Sequence, residues 1–400
     1  KQYPVRGRQM QDLEVIDRGW VACAGEKIVA IGTEETVKSQ VEVTETTHVI
    51  DATGQVVTPG LIDPHTHLIF GGSREDEFYL RAQGADYMDI MEAGGGIASS
   101  VRATRATPLE AMVALGRQRL DWMLRMGVTT VECKSGYGLD LDSELKQLEA
   151  VRILQDEQPI ELVSTFLGAH AWPEEYQDDQ EGYVDFLINT ALPKIQEEGL
   201  AEYVDVFTEK GVFSVEQSRR IFQKAKELGF KLRVHADEMN TLGGAELAAE
   251  LGTSSADHLL MISEQGIEAL AESDVIPVLL PGTAFTLRKP YAPARKMLDA
   301  GLPVALATDF NPGSCPTANL ALVMSIACLY MAMTPEEVFH AVTINAAYSL
   351  GRSERIGSIE VGKKADLVIF DVDNYKKIPY FFGVNLVTTV IKAGRVGFVS

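Results

Sequence analysis

The segment Asp63-Pro64-His65-Thr66-His67 sets two imidazoles one residue apart. In an extended segment alternate residues share a face, so His65 and His67 can aim at one ion. More side chains of the same chemistry follow at the ends of β-rich runs: His170, His235, His258 and Asp309. A single histidine at a strand end is usually a hydrogen-bonded structural residue, and H-x-H alone is an ambiguous signal. Here five of the seven histidines fall at or just after such ends, with only His48 and His340 elsewhere, and an acid joins them at the last run. That coincidence points to a metal centre. Three neutral imidazoles and one carboxylate suit a borderline divalent ion such as zinc, with iron as the alternative. Such an ion acidifies a bound water to a pKa of about 7 and polarises a carbonyl.

The elements that must position these residues alternate. β-rich runs occupy residues 56–62, 128–133, 162–166, 203–207, 231–234, 254–257, 275–280 and 303–307. Amphipathic stretches lie between most of them, as at 109–125, 142–154, 214–228 and 291–300. Eight strand–helix units favour a closed (β/α)8 TIM barrel, an α/β fold, over an open doubly wound sheet. In such a barrel chemistry belongs just past each strand's C-terminal end, where the candidates lie. The two ends of the chain read differently. Residues 20–32 pattern as a hairpin around Gly25-Glu26-Lys27, and residues 365–371 and 387–399 pattern as strands joined by turns. We therefore expect a small composite β-sandwich domain from residues 1–56 and 357–400, with the barrel of residues 57–356 inserted between its halves.

A net charge of −21 repels nucleic acid and anionic membrane, so neither is expected as a partner. An anionic small molecule meets the same repulsion and needs a dedicated local cation. No run of about eighteen uncharged apolar residues appears, and the chain opens without a charged-then-apolar leader, so a cytoplasmic protein without a span is expected. Cys23, Cys133, Cys315 and Cys328 are widely spaced and read as reduced thiols, not as a disulfide framework or a zinc–thiolate cluster. Gly94-Gly95-Gly96 lacks both a preceding strand and a following Gly-Lys-Ser/Thr, so it reads as a flexible loop over the barrel mouth instead of a phosphate loop. Lys210, after the fourth run, would bridge two metals if carbamylated; a mononuclear site already has its ligands, so we expect it in solvent.

The stretch from Pro59 through Gly60, Leu61 and Ile62 to His67 resembles the signature of the amidohydrolase superfamily, and residues 356–368 (IGSIEVGKKADLV) resemble its closing β-sandwich segment. More specific are Phe70-Gly71-Gly72-Ser73-Arg74, residues 132–138 (ECKSGYG), Phe166-Leu167-Gly168-Ala169-His170, His235-Ala236-Asp237-Glu238 and residues 308–314 (TDFNPGS). Together, in order and over almost the whole chain, they resemble the imidazolonepropionase family, though the family's usual first strand is short or missing at the N-terminus. The resemblance implies metal-dependent hydrolysis of the cyclic amide of 4-imidazolone-5-propanoate to N-formimidoyl-L-glutamate in histidine degradation. It also implies one transition metal per chain, divalent or trivalent, zinc or iron, and a homodimer. By matching position it implies His65, His67, His235 and Asp309 as metal ligands. It implies Arg74, Tyr137, His170, Glu238, Asn311, Gly313 and Ser314 as the lining of the substrate pocket.

The chemistry agrees with that implication. Arg74, just past the His65/His67 strand, can make a two-point contact with a propanoate, supplying the cation an acidic protein lacks. Tyr137 sits between glycines, which suits a hydroxyl presented to a ligand, and Asn311, Gly313 and Ser314 offer amide and backbone contacts. The mechanism expected has a metal-held hydroxide attack the ring carbonyl. Asp309 or His258 takes the water proton, His258 can also serve the oxyanion, and Glu238 passes a proton to the departing ring nitrogen. A carboxylate beside a cation normally stays ionised, so the role of Glu238 depends on its surroundings. Two other readings compete: a cyclic amidase or purine/pyrimidine deaminase of the same superfamily, and a non-catalytic barrel scaffold. Arg74, Tyr137 and His170 speak against the first, because an anionic tail needs them and a purine does not. A complete ligand set speaks against the second.

Overall fold

The computed structural model describes residues 3–85 and 94–400. An antiparallel hairpin comes first, β1 (Trp20–Ala24) and β2 (Lys27–Gly32), with Gly25 at φ 58° in its turn. After β3 (Val56–Pro59) come eight parallel strands in a single sheet. They are β4 (Leu61–Asp63), β5 (Val128–Lys134), β6 (Glu161–Ala169), β7 (Tyr203–Thr208), β8 (Lys231–Ala236), β9 (Ser255–His258), β10 (Ile276–Leu279) and β11 (Ala305–Leu306). Each lies beside its neighbour in sequence, and the seam between β4 and β11 closes just past their ends. There the Asp309 N–H donates to the His65 carbonyl (3.1 Å) and the His67 N–H donates to the Phe310 carbonyl (2.8 Å). The Asp63 carboxylate completes the seam by accepting from Thr308 N–H (3.0 Å) and Thr308 Oγ1 (2.6 Å). The result is a (β/α)8 TIM barrel, closed at the level of the candidate ligands.

Helices Leu109–Arg125, Leu141–Glu157, Val215–Glu227 and Ala294–Asp299 occupy the four stretches whose spacing predicts them. The first shows why. Met112, Val113, Leu120, Met123 and Leu124 recur at three- and four-residue steps and are all buried against the sheet. Inside the barrel the strands present two unlike walls. Glu132, Lys134, Asp205, Arg233 and Asp257 point inward from β5, β7, β8 and β9, whereas Ile276, Val278, Leu280, Ala305 and Ala307 cluster along β10 and β11. Below both, Ile62, Val163 and Tyr203 pack on Ala346, Ala347, Leu350 and Ile356, which plug the barrel floor.

Three expectations change on this description. Residues 56–62 are two strands, broken at Gly60, where a Cβ would lie 2.3 Å from Thr129 Oγ1. The part before the break leaves the barrel and pairs antiparallel with β12 (Leu367–Phe370), which continues through β13 (Val387–Lys392) to β14 (Arg395–Val399). The link between β12 and β13 holds a one-turn helix, Lys377–Tyr380, where turns alone were expected. The Gly94–Gly96 stretch leads directly into helix Ile97–Ala106, and the Gly96 N–H, at φ 79°, donates to Glu77 Oε1 (2.8 Å). The hairpin β1–β2 forms a sheet of its own and touches the four-stranded one, Ile28 packing with Ala365 and Leu367. Among the described residues no helix is long and apolar enough to cross a membrane.

Candidate metal centre

The site is built where the charged wall meets the barrel mouth. His65 and His67 leave β4, His235 stands near the end of β8, His258 ends β9 and Asp309 follows β11, and all five are buried. His258 (φ 79°) and Asp309 (φ 55°) hold left-handed backbone, which a non-glycine residue adopts only when its surroundings impose it.

Two carboxylates orient two of the imidazoles. His65 Nδ1 lies 2.6 Å from Asp257 Oδ2, and His235 Nδ1 lies 3.0 Å from Asp205 Oδ1. An ionised carboxylate only accepts, so each ring carries its proton on Nδ1 and turns the Nε2 lone pair inward. His67 Nε2 stands 3.4 Å from His235 Nε2, and both His65 Nε2 and His67 Nε2 stand 3.4 Å from Asp309 Oδ1. His65 Nε2 and Asp309 Oδ1 are buried with no hydrogen-bond partner among the described residues. Lone pairs and a carboxylate oxygen facing one another are unfavourable unless a cation lies among them, and this donor set is that of a zinc- or iron-type site. Candidate ligand atoms of His65, His67 and Asp309 lie within 4.8 Å of one another, as do those of His65, His235 and His258. The residues present therefore fit a divalent transition metal.

Electrostatics favour neutral imidazoles at His65, His67, His170 and His258. Burial drives His65, His67 and His258 well below the ordinary value, the neighbouring histidines adding to the effect, and takes His170 to about 3. For His235 burial acts the same way, but the Asp205 charge more than offsets it and the net shift is upward. Burial raises Asp309 to about 6 against the hydroxyl of Thr283, which donates to its Oδ2 (2.5 Å). Burial, with Asp309 nearby, pushes Glu238 to about 8. The nearest approach of Glu238 to His258 is 3.7 Å, Oε1 to Nδ1.

The remaining candidates fall into two groups. Tyr137 and His170 flank the cluster: His170 stacks on His67 with centroids 5.0 Å apart, and Tyr137 lies 5.2 Å from His170. Their loop is pinned by Glu144, whose carboxylate accepts from the N–H groups of Gly136, Gly138 and Leu139, while Gly136 O receives His170 Nδ1–H (2.8 Å). Gly136 (φ 106°) has no room for a Cβ, which would lie 2.8 Å from the Leu167 carbonyl. Arg74 is mostly buried, donates from Nη2 to Glu77 (2.7 Å), and abuts Gly313 so closely that any side chain there would strike the guanidinium. The Asn311 amide is consumed inside its own turn, accepting from Gly313 N–H (2.9 Å) and Ser314 N–H (2.7 Å) and donating to the Asp309 carbonyl (2.7 Å). Lys210 is exposed, apart from the cluster.

Sequence reasoning missed Asp205, Asp257, Thr283, Glu144 and the buried cations Lys134 and Arg233. A signal existed for several of them. Glu132-x-Lys134 and Arg233-x-His235 place charges two apart in otherwise apolar strands, which puts them on one face.

The amidohydrolase family model matches residues 56–397. The imidazolonepropionase of Alkaliphilus oremlandii (strain OhILAs) is 57% identical over 394 residues, 98% of this chain and 93% of that protein. That of Geobacillus kaustophilus (strain HTA426) is 53% identical over 394 residues, again 98% and 93%. Among solved structures, E. coli guanine deaminase aligns with a TM-score of 0.75 at 16% identity, covering 100% of this chain and 99% of that one. An adenosine deaminase from Xanthomonas campestris with bound zinc aligns with a TM-score of 0.74 at 19% identity, covering 96% and 89%. At such identities the two deaminases share the fold alone.

Proposed function

We propose a course of catalysis from one premise: the chain belongs to the amidohydrolase family and, within it, to the imidazolonepropionases. It hydrolyses the cyclic-amide C–N bond of 4-imidazolone-5-propanoate to N-formimidoyl-L-glutamate, a step of histidine degradation. One observation carries the catalytic reading: two carboxylate-oriented imidazoles, His65 and His235, converge with His67 and Asp309 on buried donor atoms.

The family and the histidine-rich cluster support a divalent metal. We assign it as zinc or iron, one ion per chain, held by His65, His67, His235 and Asp309. When bound, the ion lowers the pKa of water toward about 7 and polarises the ring carbonyl. His258, held neutral by burial, and Asp309, raised to about 6, are the groups that accept the water proton. Glu238, pushed up to about 8, carries a proton in neutral solution and delivers it to the departing ring nitrogen. A cation beside it pulls that value back toward neutrality, the range a proton shuttle needs.

Substrate recognition uses charge and tautomer. Arg74 takes the propanoate, sharing its guanidinium with Glu77. His170 gives Nδ1–H to Gly136 O, so its Nε2 is free to accept a ring N–H. Burial keeps the Tyr137 hydroxyl protonated, a donor beside the same ring. Asn311 and Ser314 act through the turn that presents Gly313 to Arg74. The net charge of −21 supports a small anionic substrate captured locally, without nucleic-acid or membrane partners. Four free cysteines support a cytoplasmic protein, and the family resemblance supports a homodimer.

The test is an assay of the purified protein on imidazolone propanoate beside hydantoin propanoate, dihydroorotate and guanine, with elemental analysis of the same sample. Ring opening of the first substrate and about one metal per chain are expected. Faster turnover of any other substrate overturns the reading, and two metals with a mass increment on Lys210 overturn the mononuclear centre.

A further inference from the structure

The ligand imidazoles are not the end of the ordered chain of contacts. Behind Asp205 stands Lys134, wholly buried, whose Nζ donates to Asp205 Oδ2 (2.8 Å) and to Glu132 Oε1 (2.9 Å). Behind Asp257 stands Arg233, also wholly buried. Its Nη2 donates to the Pro64 carbonyl (2.8 Å) and to Asp257 Oδ2 (3.3 Å), and its Nη1 donates to the Ser349 carbonyl (3.1 Å). Glu132 joins the two halves: its Oε1 takes the lysine and lies 3.9 Å from Arg233 Nε, while its Oε2 accepts the Thr66 N–H (3.2 Å) between His65 and His67.

We infer that Lys134 is a positioning residue for the metal centre, fixing Asp205 so that His235 presents Nε2. Asp205 uses one oxygen for His235 and the other for Lys134, so the carboxylate cannot rotate away from the imidazole without breaking a buried ion pair. It also accepts the His235 backbone N–H (3.2 Å), which fixes ring and main chain to one group. The lysine on its far side favours Asp205 as an ionised acceptor, whereas a carboxyl that donated instead would place the ring proton on Nε2 and spoil the ligand. A lysine placed only to fill the barrel would be an expensive choice, because an aliphatic side chain of the same volume fills that space without burying a charge. The facing wall, Ile276, Val278 and Leu280, does so.

This rests on the metal-centre reading, and the experiment separates the two. Zinc affinity is measured by chelator competition for the unsubstituted protein and for Lys134→Met, Asp205→Asn and the double variant, with circular dichroism to confirm folding. Each single variant is expected to bind zinc about 10- to 100-fold more weakly. The double variant is expected to match Asp205→Asn within about twofold, because the lysine acts through that carboxylate. Losses that multiply, or a folded Lys134→Met with unchanged affinity, overturn the proposal; a packing role gives one of those results. If Lys134→Met does not fold, Asp205→Asn is compared with the double variant alone. Equal affinity supports the inference, and a further tenfold loss refutes it. Failure of the unsubstituted protein to bind zinc or iron(II) overturns the metal centre itself, a different result.

Discussion

Asp205 and Asp309 are both buried carboxylates that end next to a candidate ligand, yet their surroundings send them in opposite directions. Asp205 lies in the charged wall, where burial would raise its pKa, but His235 and Lys134 outweigh burial and hold it well below the usual range. Asp309 stands over the aliphatic wall, helped mainly by Thr283, and burial takes it up to about 6. The first is fixed as an acceptor and suits orientation. In the metal-free protein the second can gain or lose a proton near neutral pH, which suits chemistry. One barrel interior thus supplies a rigid electrostatic support on one side and a titratable group on the other, because the low-dielectric aliphatic wall leaves Asp309 few partners.

The largest expected effect removes what the two sides share. His235→Ala or His65→Ala should abolish bound metal and turnover together, read by elemental analysis and by ring-opening rate; activity in a metal-free variant would sink the whole scheme. Next comes the titratable side. Glu238→Gln should keep metal while lowering kcat by about 10²- to 10⁴-fold, the usual worth of a positioned acid or base. A pH signature accompanies it. In the metal-free protein Glu238 sits near 8, whereas an unfolded glutamate titrates near about 4.3. Across that window the folded state binds the extra proton, so stability falls as pH rises. Glu238→Gln should therefore raise the melting temperature of the metal-free protein at pH 8, with the difference fading toward pH 4. An equal difference at both pH values would remove the proposed environment of Glu238.

The sequence displays the two walls unequally. The (β/α)8 barrel and the ligand-type residues were legible, because His65, His67, His235, His258 and Asp309 each end or follow a β-rich run. The break at Gly60 has a local signal in Pro59-Gly60, a turn-type pair inside an otherwise β-prone run, but the Thr129 side chain that leaves no room for a Cβ there lies across the sheet and has none. The role of Asp205 or Lys134 was not legible, since hydrogen bonds between residues 71 positions apart leave no local pattern. Asn311 carries a second local signal: an Asn two residues before a glycine closes a turn, and its amide accepts from Gly313 N–H and donates to the Asp309 carbonyl.

A substitution in the aliphatic wall should separate stability from metal binding. Leu280→Ala should cost about 2–5 kcal/mol by leaving a cavity, measured by denaturant unfolding, while zinc affinity stays within about threefold. A loss of affinity comparable to that of a charged-wall variant would show that the walls are not distinct in function.

The smallest predicted effect concerns charge on the aliphatic side of the mouth, where Arg74 abuts Gly313 beyond β11. The charged wall cannot serve an anionic substrate, since its cations are paired below the ligands with Glu132, Asp205 and Asp257. A propanoate must therefore find its cation at the mouth, and Arg74, whose Nε is buried without a partner among the described residues, is placed to supply it. Glu77 already shares the guanidinium, so the substrate gains less than a free arginine would give. A charged hydrogen bond is worth about 1.5–3 kcal/mol, which sets the expected rise in KM for Arg74→Met at about 10- to 100-fold, with the shared geometry favouring the lower figure. Metal content should not change, because Arg74 touches none of the ligands. The penalty should shrink for an analogue whose carboxylate is an uncharged amide. If both analogues lose the same factor, Arg74 only supports the Gly313 turn, and the charged wall would be left as the sole electrostatic feature of the site.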